Sequence, residues 1–554
     1  MTLPRPARQG ETTSIDTEFF GQRKGRLHRP EGTFACLSIA YSPTEVYQVF
    51  DASDLRAAIE RISPGLWVGH NLMYDIRQLR RFVDIPQRPV FDTMMMDQDL
   101  WGGYYRDFGL DDASRRWLGR RLEKEARDLF GKATTMTPEM VEYAATDAVR
   151  ALEVMQAQRA YIAENEMEMR HYWEVDEPAM WAFLDFEPVK IDVDGWLKLA
   201  QENEQEAARL EKELGFNTMS PKQVIDAVKK QTGRTIKDTN AKDTLEPLAD
   251  ELRRQKRDRQ AEFVDALLDV RRLRKMSSTY GRTWVDKYVE AGGLVYADWH
   301  VTAAETGRSS CSSPGLQQIP TRRVTHFRKL FVSKHKNGRM VIADQNQQEP
   351  RIMAWWSKDD ALRGALLAGR DLHQEAADDF NLTRREGKDV NLGLGYGMSA
   401  EGLASRARIP LDVAEAGIRR RNGRYPMAAI WIGNQMNRGA SMGHVSTSMG
   451  RRVWLNLYGM QWQRNAINAP IQGTAAEQTK TWLVLLHHEC RRLGLPFRVC
   501  LQVHDELVAD AAAGESRQYS KLLRECGVQS GRIVVPNMPM AVGLAIGPTW
   551  GSKE

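Results

Sequence analysis

Two apolar runs that end in acids constrain this chain more than any other feature. Val341-Ile-Ala-Asp344 closes a strand-like run from Met340, and Leu501-Gln-Val-His-Asp-Glu506 follows a strand-like run from Arg498 to Val503. Acids at the ends of buried strands are costly unless they ligate a cation. Each of these strand ends therefore needs a cation nearby.

Between them runs Arg384-Arg-Glu-Gly-Lys-Asp-Val-Asn-Leu-Gly-Leu-Gly-Tyr-Gly397. On a helix, Arg384, Lys388, Leu392 and Tyr396 fall along one slowly rotating stripe. Two cations followed by an apolar and an aromatic side chain match a nucleoside triphosphate, phosphates at one end and base at the other. The phosphate loop G-x-x-x-x-G-K-[ST] is absent.

A second carboxylate set lies near the N-terminus. In Ser14-Ile-Asp-Thr-Glu18, a strand puts Asp16 and Glu18 on one face. Like charges side by side there call for a divalent metal, which takes carboxylate oxygens. Gly69-His-Asn-Leu-Met-Tyr-Asp75 offers Asn71 and Asp75 at a helix start, and Tyr143-Ala-Ala-Thr-Asp147 offers a phenol and a carboxylate on one helical face.

The length of 554 residues implies several domains, and 42% hydrophobic with 27% charged residues supplies sizeable cores. No window reaches the roughly 18 consecutive apolar residues that would span a bilayer, so the expectation is a cytoplasmic protein without a membrane. Five scattered cysteines without C-x-x-C point to reduced thiols in a core. The net charge of +5 is mild, but basic clusters recur at Arg271, Arg272, Arg274 and Lys275, at Arg384, Arg385 and Lys388, and at Arg419 to Arg421 with Arg424. Several such clusters favour a nucleic-acid partner, although each alone reads as a solvated helix face. Strands are expected at Ser14 to Phe20, Phe34 to Tyr41, Glu45 to Phe50 and Leu66 to Gly69. Helices are expected at Asp54 to Ile62, Asp75 to Phe82 and about Pro138 to Ala160, making an α/β domain. Residues 193 to 290 read as long amphipathic helices whose basic side either grips a duplex or serves packing.

In their order, the three N-terminal segments resemble the motifs of the DEDDy 3′ to 5′ proofreading exonucleases over about residues 10 to 160. The resemblance implies an RNase H-like domain at 1–165. In it Asp16, Glu18, Asp75 and Asp147 hold two magnesium or manganese ions, Tyr143 orients the attacking water and Asn71 meets DNA.

The later segments resemble motifs A, B and C of the family A DNA polymerases, the group of bacterial DNA polymerase I and many phage replicative enzymes, from about residue 174 to Trp550. Thr306-Gly-Arg308, Leu316-Gln-Gln-Ile-Pro320, Asp371-Leu-His373 and the run from Arg464 to Glu477 agree. This implies a right-hand polymerase over 166–554, with a thumb at about 193–292, palm at about 293–370 and 461–554, and fingers at about 371–460. The resemblance assigns two magnesium ions to Asp344 and Asp505, with Glu506 beside them. Arg384, Lys388 and His373 clamp the triphosphate, with Arg322 and Gln347 as weaker candidates. Glu349 is the steric gate against a 2′ hydroxyl, and Leu392 and Tyr396 lie along the nucleotide. Arg308, Arg464, Asn468, Gln472 and His504 meet the DNA. The implied partners are primer-template DNA, deoxynucleoside triphosphates and phage or host replication proteins, and the implied state is a monomer. Because the chain begins almost at the first exonuclease motif, the expectation is a phage or prophage replicative enzyme without a 5′ nuclease.

The sequence departs from the family at Gln345, Asn346, Gln348 and Pro350 in motif A, at Leu392 where an aromatic is usual, at Glu477 where aspartate is usual, and at Gly315 and Gln318. Two other readings stay open: a relative of the single-subunit RNA polymerases, against which Glu349 and the complete exonuclease set argue, and a non-catalytic DNA-binding repair scaffold, against which Asp344, Asp505, Arg384 and Lys388 together argue.

Overall fold

The computed structural model describes residues 3–21, 32–122, 128–320, 326–407 and 409–553. The first part is a five-stranded sheet ordered β3-β2-β1-β4-β5, with β1 Thr12–Phe20, β2 Thr33–Ser42, β3 Glu45–Val49, β4 Leu66–Gly69 and β5 Val90–Asp92. β1 pairs antiparallel with β2 and parallel with β4. Its helices are α1 Leu55–Ile62, α2 Leu72–Leu79, α3 Thr93–Trp101, α4 Leu110–Leu118 and α5 Pro138–Glu164. Thr137 caps α5 by accepting from the Met140 amide, and Pro138 follows at the first helical position, where no amide hydrogen is needed. The α2 helix starts three residues before the expected position and ends at Leu79, because Asn71 at φ 62° turns the chain into the helix directly after β4. The strand β5 and helix α3, not anticipated from periodicity, are short, and Asp92 joins them by capping α3.

Helix α6 Glu177–Leu184 and strand β6 Val189–Ile191 lead into an arm of α7 Val193–Leu214, α8 Pro221–Thr232, α9 Glu246–Arg254 and α10 Asp258–Thr279. Val224, Leu248, Val264 and Leu267 form a separate core in this arm. Helix α11 Arg282–Tyr288 and the short strands β7 Val289–Glu290, β8 Leu294–Val295, β9 Asp298–His300, β10 Ser310–Ser312 and β11 Phe331–Val332 return the chain to the body.

There β12 Arg339–Gln345 is central in a four-stranded sheet, β15-β16-β12-β17, with β15 Val499–Val503, β16 Glu506–Ala511 and β17 Val542–Gly547. Helices α12 Gln348–Ser357, α13 Asp360–Leu367, α14 Leu372–Phe380, α15 Arg384–Gly395, α16 Ala400–Ala407, α17 Leu411–Arg424 and α18 Pro426–Met442 follow β12. The hairpin β13 His444–Ser446 and β14 Arg452–Trp454, then α19 Trp462–Arg492, lead to β15, and α20 Ser516–Val534 joins β16 to β17. One continuous apolar core runs from Ile15 and Trp67 through Trp181 to Val341 and Leu507, so the first sheet and the second share an interior. All five cysteines are buried and free. Among the described residues no helix is long and apolar enough to cross a membrane.

Candidate active sites

The strand ends flagged by sequence come together. Asp344 on β12 pairs in register with Glu506 on β16. His504 and Asp505 form the connection between β15 and β16, whose last pair is Val503 with Glu506. His504 holds φ 56° there, and the Asp505 carbonyl accepts from the Gln345 amide at 3.1 Å. Burial, and then the charge of Asp344, push the Asp505 carboxyl upward. Glu506 accepts from the Trp550 indole at 2.8 Å, and Lys553 Nζ reaches Asp344 at 2.6 Å and Glu506 at 3.2 Å. All three acids offer the oxygen donors a hard divalent cation takes, and Lys553 with Arg328 balances part of their charge. Sequence reasoning missed Lys553, which lies 209 residues from Asp344 and outside every motif.

A cleft of about 270 Å³ opens beside these acids, lined by Arg308, Ser309, Gln348, Glu349, His504 and Asp505 among others. Glu349 accepts from Arg308 at 2.6 Å and from the Tyr396 hydroxyl. Burial and the Glu349 charge raise the Tyr396 phenol, keeping it a donor. On α19, Arg464, Asn468 and Gln472 recur at four-residue steps and so share a face. Gln472 bonds Tyr396, and Asn468 Oδ1 is buried without a hydrogen-bond partner. Burial and the nearby Arg308 lower the His504 pKa.

Two of the motif A departures, Gln348 and Pro350, have local explanations. Gln347 enters α12 at φ 52°, and Pro350 lies in the first turn, where a missing amide hydrogen costs little. Gln348 is buried, and its amide donates to the Ala475 carbonyl at 3.2 Å, to Thr479 Oγ1 at 3.1 Å and to Gln478. A polar partner on α19 thus accompanies a polar residue on α12.

Helix α15 begins with a capping box between Thr383 and Glu386. Arg384, Lys388 and Leu392 share its stripe as expected, but the helix ends at Gly395 and Tyr396 is its cap, at φ −103° and ψ 19°. Three glycines within five residues weaken the last turn. Arg384 Nε pairs with Asp371 at 2.6 Å, and Asp371 also caps α14 by accepting from the His373 amide. His373 faces Asn391 at 3.3 Å, and burial with the nearby Lys388 lowers its pKa. Arg322 lies outside the described residues.

At the N-terminal site, Asp16 and Glu18 on β1 and Asp147 on α5 bring carboxylate oxygens within 4.8 Å of one another, a spacing that suits a divalent metal. Tyr143, one turn before Asp147, bonds that carboxylate, and burial raises its phenol. Asp75 is not in this group. Its Oδ1 accepts from the Thr17 amide at 2.9 Å and the Thr17 hydroxyl at 2.6 Å, between the two acids of β1. Asn71 occupies the position before α2 without a side-chain capping bond, and its own amide donates to Asp92 at 3.1 Å. Asp92 also accepts from the amides of Leu72, Met94 and Met95, and so fixes the starts of two helices. Its place just before the run Thr93 to Trp101 is the only sequence signal it carries.

Comparison with known proteins agrees with this geometry. Residues 195–552 match the model of DNA polymerase family A, and residues 8–159 match a 3′-5′ exonuclease model. DNA polymerase I of Pseudomonas aeruginosa is 29% identical over 98% of this chain and 62% of its own length. The thermostable DNA polymerase I of Thermus aquaticus is 32% identical over 69% of this chain and 48% of its own length. DNA polymerase I of Chloroflexus aurantiacus is 36% identical over 51% of this chain and 32% of its own length. The chain therefore spans from about a third to about three fifths of these relatives. The POL domain of Pol1 from M. smegmatis, solved with DNA primer-template and dNTP, superposes with a TM-score of 0.81 at 23% identity, covering 98% of this chain and 96% of that one. The fold is accordingly an RNase H-like exonuclease domain followed by a right-hand polymerase. This chain belongs to DNA polymerase family A and carries an N-terminal 3′-5′ exonuclease domain.

Proposed function

We propose that this chain is a template-directed DNA polymerase that extends a primer 3′ end with deoxynucleotides and removes misincorporated ends with its exonuclease. The convergence of Asp344, Asp505 and Glu506 beside a cleft bounded by Glu349 and Arg308 carries this reading. The proposed organisation is an exonuclease domain at 1–165 and a polymerase at 166–554, with the helical arm α7–α10 as thumb, the sheet of β12, β15, β16 and β17 as palm, and α14–α18 as fingers.

In the polymerase site, Arg384, Lys388 and His373 bind the triphosphate by charge-assisted hydrogen bonds. Glu349, held by Arg308 and Tyr396, presents its carboxylate where a 2′ hydroxyl would intrude. Leu392 gives apolar contact to sugar and base. Asn468, Gln472 and His504 face the minor groove, where acceptors lie in similar places for every base pair and shape can be checked without reading sequence. Magnesium, or manganese in its place, would be held by Asp344 and Asp505 there and by Asp16, Glu18 and Asp147 at the exonuclease, supplying charge stabilisation and an activated oxygen nucleophile, with Asp75 bracing β1 between the two acids through Thr17. In the exonuclease site, Tyr143 orients a water against the terminal phosphate and Asn71 lies beside the strand. The DNA and nucleotide bound by the M. smegmatis neighbour support the choice of partners.

The test is primer extension from matched and mismatched 3′ ends, with and without nucleotides. The expected result is extension of the matched end, trimming of both ends without nucleotides, and trimming before extension of the mismatched end. Asp505→Ala should remove extension only and Asp16→Ala trimming only. Loss of both activities in a folded Asp16→Ala protein would overturn the two-site reading.

A further inference from the structure

A buried ion network joins the exonuclease domain to the turn that carries Arg308. Arg451, just before β14, donates from one nitrogen to Asp99 on α3 and from another to Asp176. Lys480 on α19 donates to the other oxygen of Asp176 and to the Gly307 carbonyl at 2.8 Å. Side-chain exposure is 0% for both acids, 1% for Arg451 and 3% for Lys480. The nearby His171 is held neutral by burial and the neighbouring cations, and burial raises the Asp99 carboxyl to about 8 against the pull of Arg451, so the bond between them is what keeps either group in place.

The turn from Ala304 to Arg308 sits inside this network. Gly307 has φ 76°, and a Cβ there would lie 2.5 Å from Arg451 Nε, so its backbone rests on the guanidinium. Lys480 grips the same residue by its carbonyl. From the exonuclease side, Gln98 accepts from the Thr302 hydroxyl, and Gly102 abuts the Glu305 carbonyl, which would stand 2.9 Å from a Cβ. Gly102 also accepts from the Trp454 amide at 2.9 Å, and Trp101 stacks on Trp454 at 5.5 Å. The next residue along the chain, Arg308, holds Glu349.

We infer that Asp99 and Lys480 are positioning residues of the polymerase site, which through Arg451 and Asp176 fix the 304–308 turn and aim Arg308 at Glu349. Polymerisation then depends on a carboxylate of the exonuclease domain that touches neither substrate nor the exonuclease acids. The physical reason is that an unpaired buried charge cannot persist, so losing one member forces the others, and the turn they hold, to rearrange. A shift of the order of 1 Å in a substrate-facing group is enough to cost about 100-fold in rate.

This inference rests on the polymerase reading, so the wild-type chain is first shown to extend a matched primer; failure there refutes that reading instead. A double-mutant cycle then compares Asp99→Asn, Arg308→Ala and the pair by single-nucleotide insertion, with thermal unfolding as the control for folding. Asp99→Asn should lower kcat/KM about tenfold or more and should cost less than roughly twofold in the Arg308→Ala background. Degradation of single-stranded DNA should be unchanged. An undiminished cost in the Arg308→Ala background, or no cost at all, overturns the inference. If Asp99→Asn does not fold, Thr302→Val and Lys480→Gln enter the same cycle under the same criteria.

Discussion

Three helices carry basic runs that look alike in sequence, yet the fold uses them differently. On α10, Arg271 donates to the carbonyls of Thr218 at 2.8 Å and Thr239 at 2.6 Å, Arg272 pairs with Asp269, and Arg274 pairs with Glu204 and Glu211. On α17, Arg424 makes a two-pronged pair with Asp379 at 2.8 and 2.9 Å, Arg420 donates to the Asp379 carbonyl, and Arg421 is half-buried. On α15, Arg384 keeps 60% of its side chain exposed against Asp371, and Lys388 is exposed. Where carbonyls and acids lie within reach, arginines become framework. Cations remain available to a ligand where a helix leaves them exposed, as α15 leaves Arg384 and Lys388. On α10, Arg271, Arg272 and Arg274 all take part in contacts within the arm.

This contrast can be broken most sharply at Lys388. Lys388→Ala should reduce nucleotide insertion by about 100-fold, as loss of a charge-stabilising donor does, with the unfolding midpoint unchanged. Insertion kinetics beside a thermal melt would check both halves. Arg424→Leu should do the reverse. It leaves Asp379, whose side chain is 4% exposed, without its two-pronged partner, and should cost about 2 kcal/mol of stability after allowance for the partly exposed arginine. Denaturant titration would show this, and insertion by the folded fraction should stay near wild type. Arg271→Ala should cost about 1.5 kcal/mol, the scale of charged hydrogen bonds to carbonyls. Its binding to duplex DNA should change little with salt relative to wild type, because no phosphate contact is lost. The smallest effect is expected at Leu392, where phenylalanine adds a stacking face. Nucleotide affinity should tighten by no more than about fivefold, a fraction of a full base–aromatic stack. An unchanged affinity would mean that Leu392 does not face the nucleotide.

What sequence made legible follows from locality. Asp16 and Glu18 lie two residues apart on β1, Tyr143 and Asp147 four apart on α5, and Arg464, Asn468 and Gln472 four apart on α19, so elementary periodicity places each set on one face. The acid-ended runs were readable because burial makes such acids conspicuous. The ion network was not readable, since Asp99 and Arg451 are 352 residues apart and Asp176 and Lys480 304 apart, and nothing in a local pattern links them. Glu477 was visible only as a departure. Its carboxylate, raised to about 7 by burial, accepts from Thr447, from Ser448 at 3.1 Å and from the Met449 amide at 3.2 Å, tying α19 to the turn that leads into Arg451.

The turn at His504 and Asp505 has a consequence for how this gene can vary. Side chains on a strand alternate sides, and only these two residues separate Val503 from its partner Glu506. Adding or deleting one codon there would invert the parity of one strand against the other. Because β16 is also held in register by β12, the misfit would fall on β15 and on the turn itself, and Asp505 would lose its place beside Asp344 even though every residue type needed for chemistry was still encoded. Point substitutions can explore this hairpin one property at a time. Changes in length cannot, so a library that varies codon number at positions 503–506 should return inactive clones almost without exception, whereas one that varies loop length at the exposed stretch 456–461 should return many that still extend a primer.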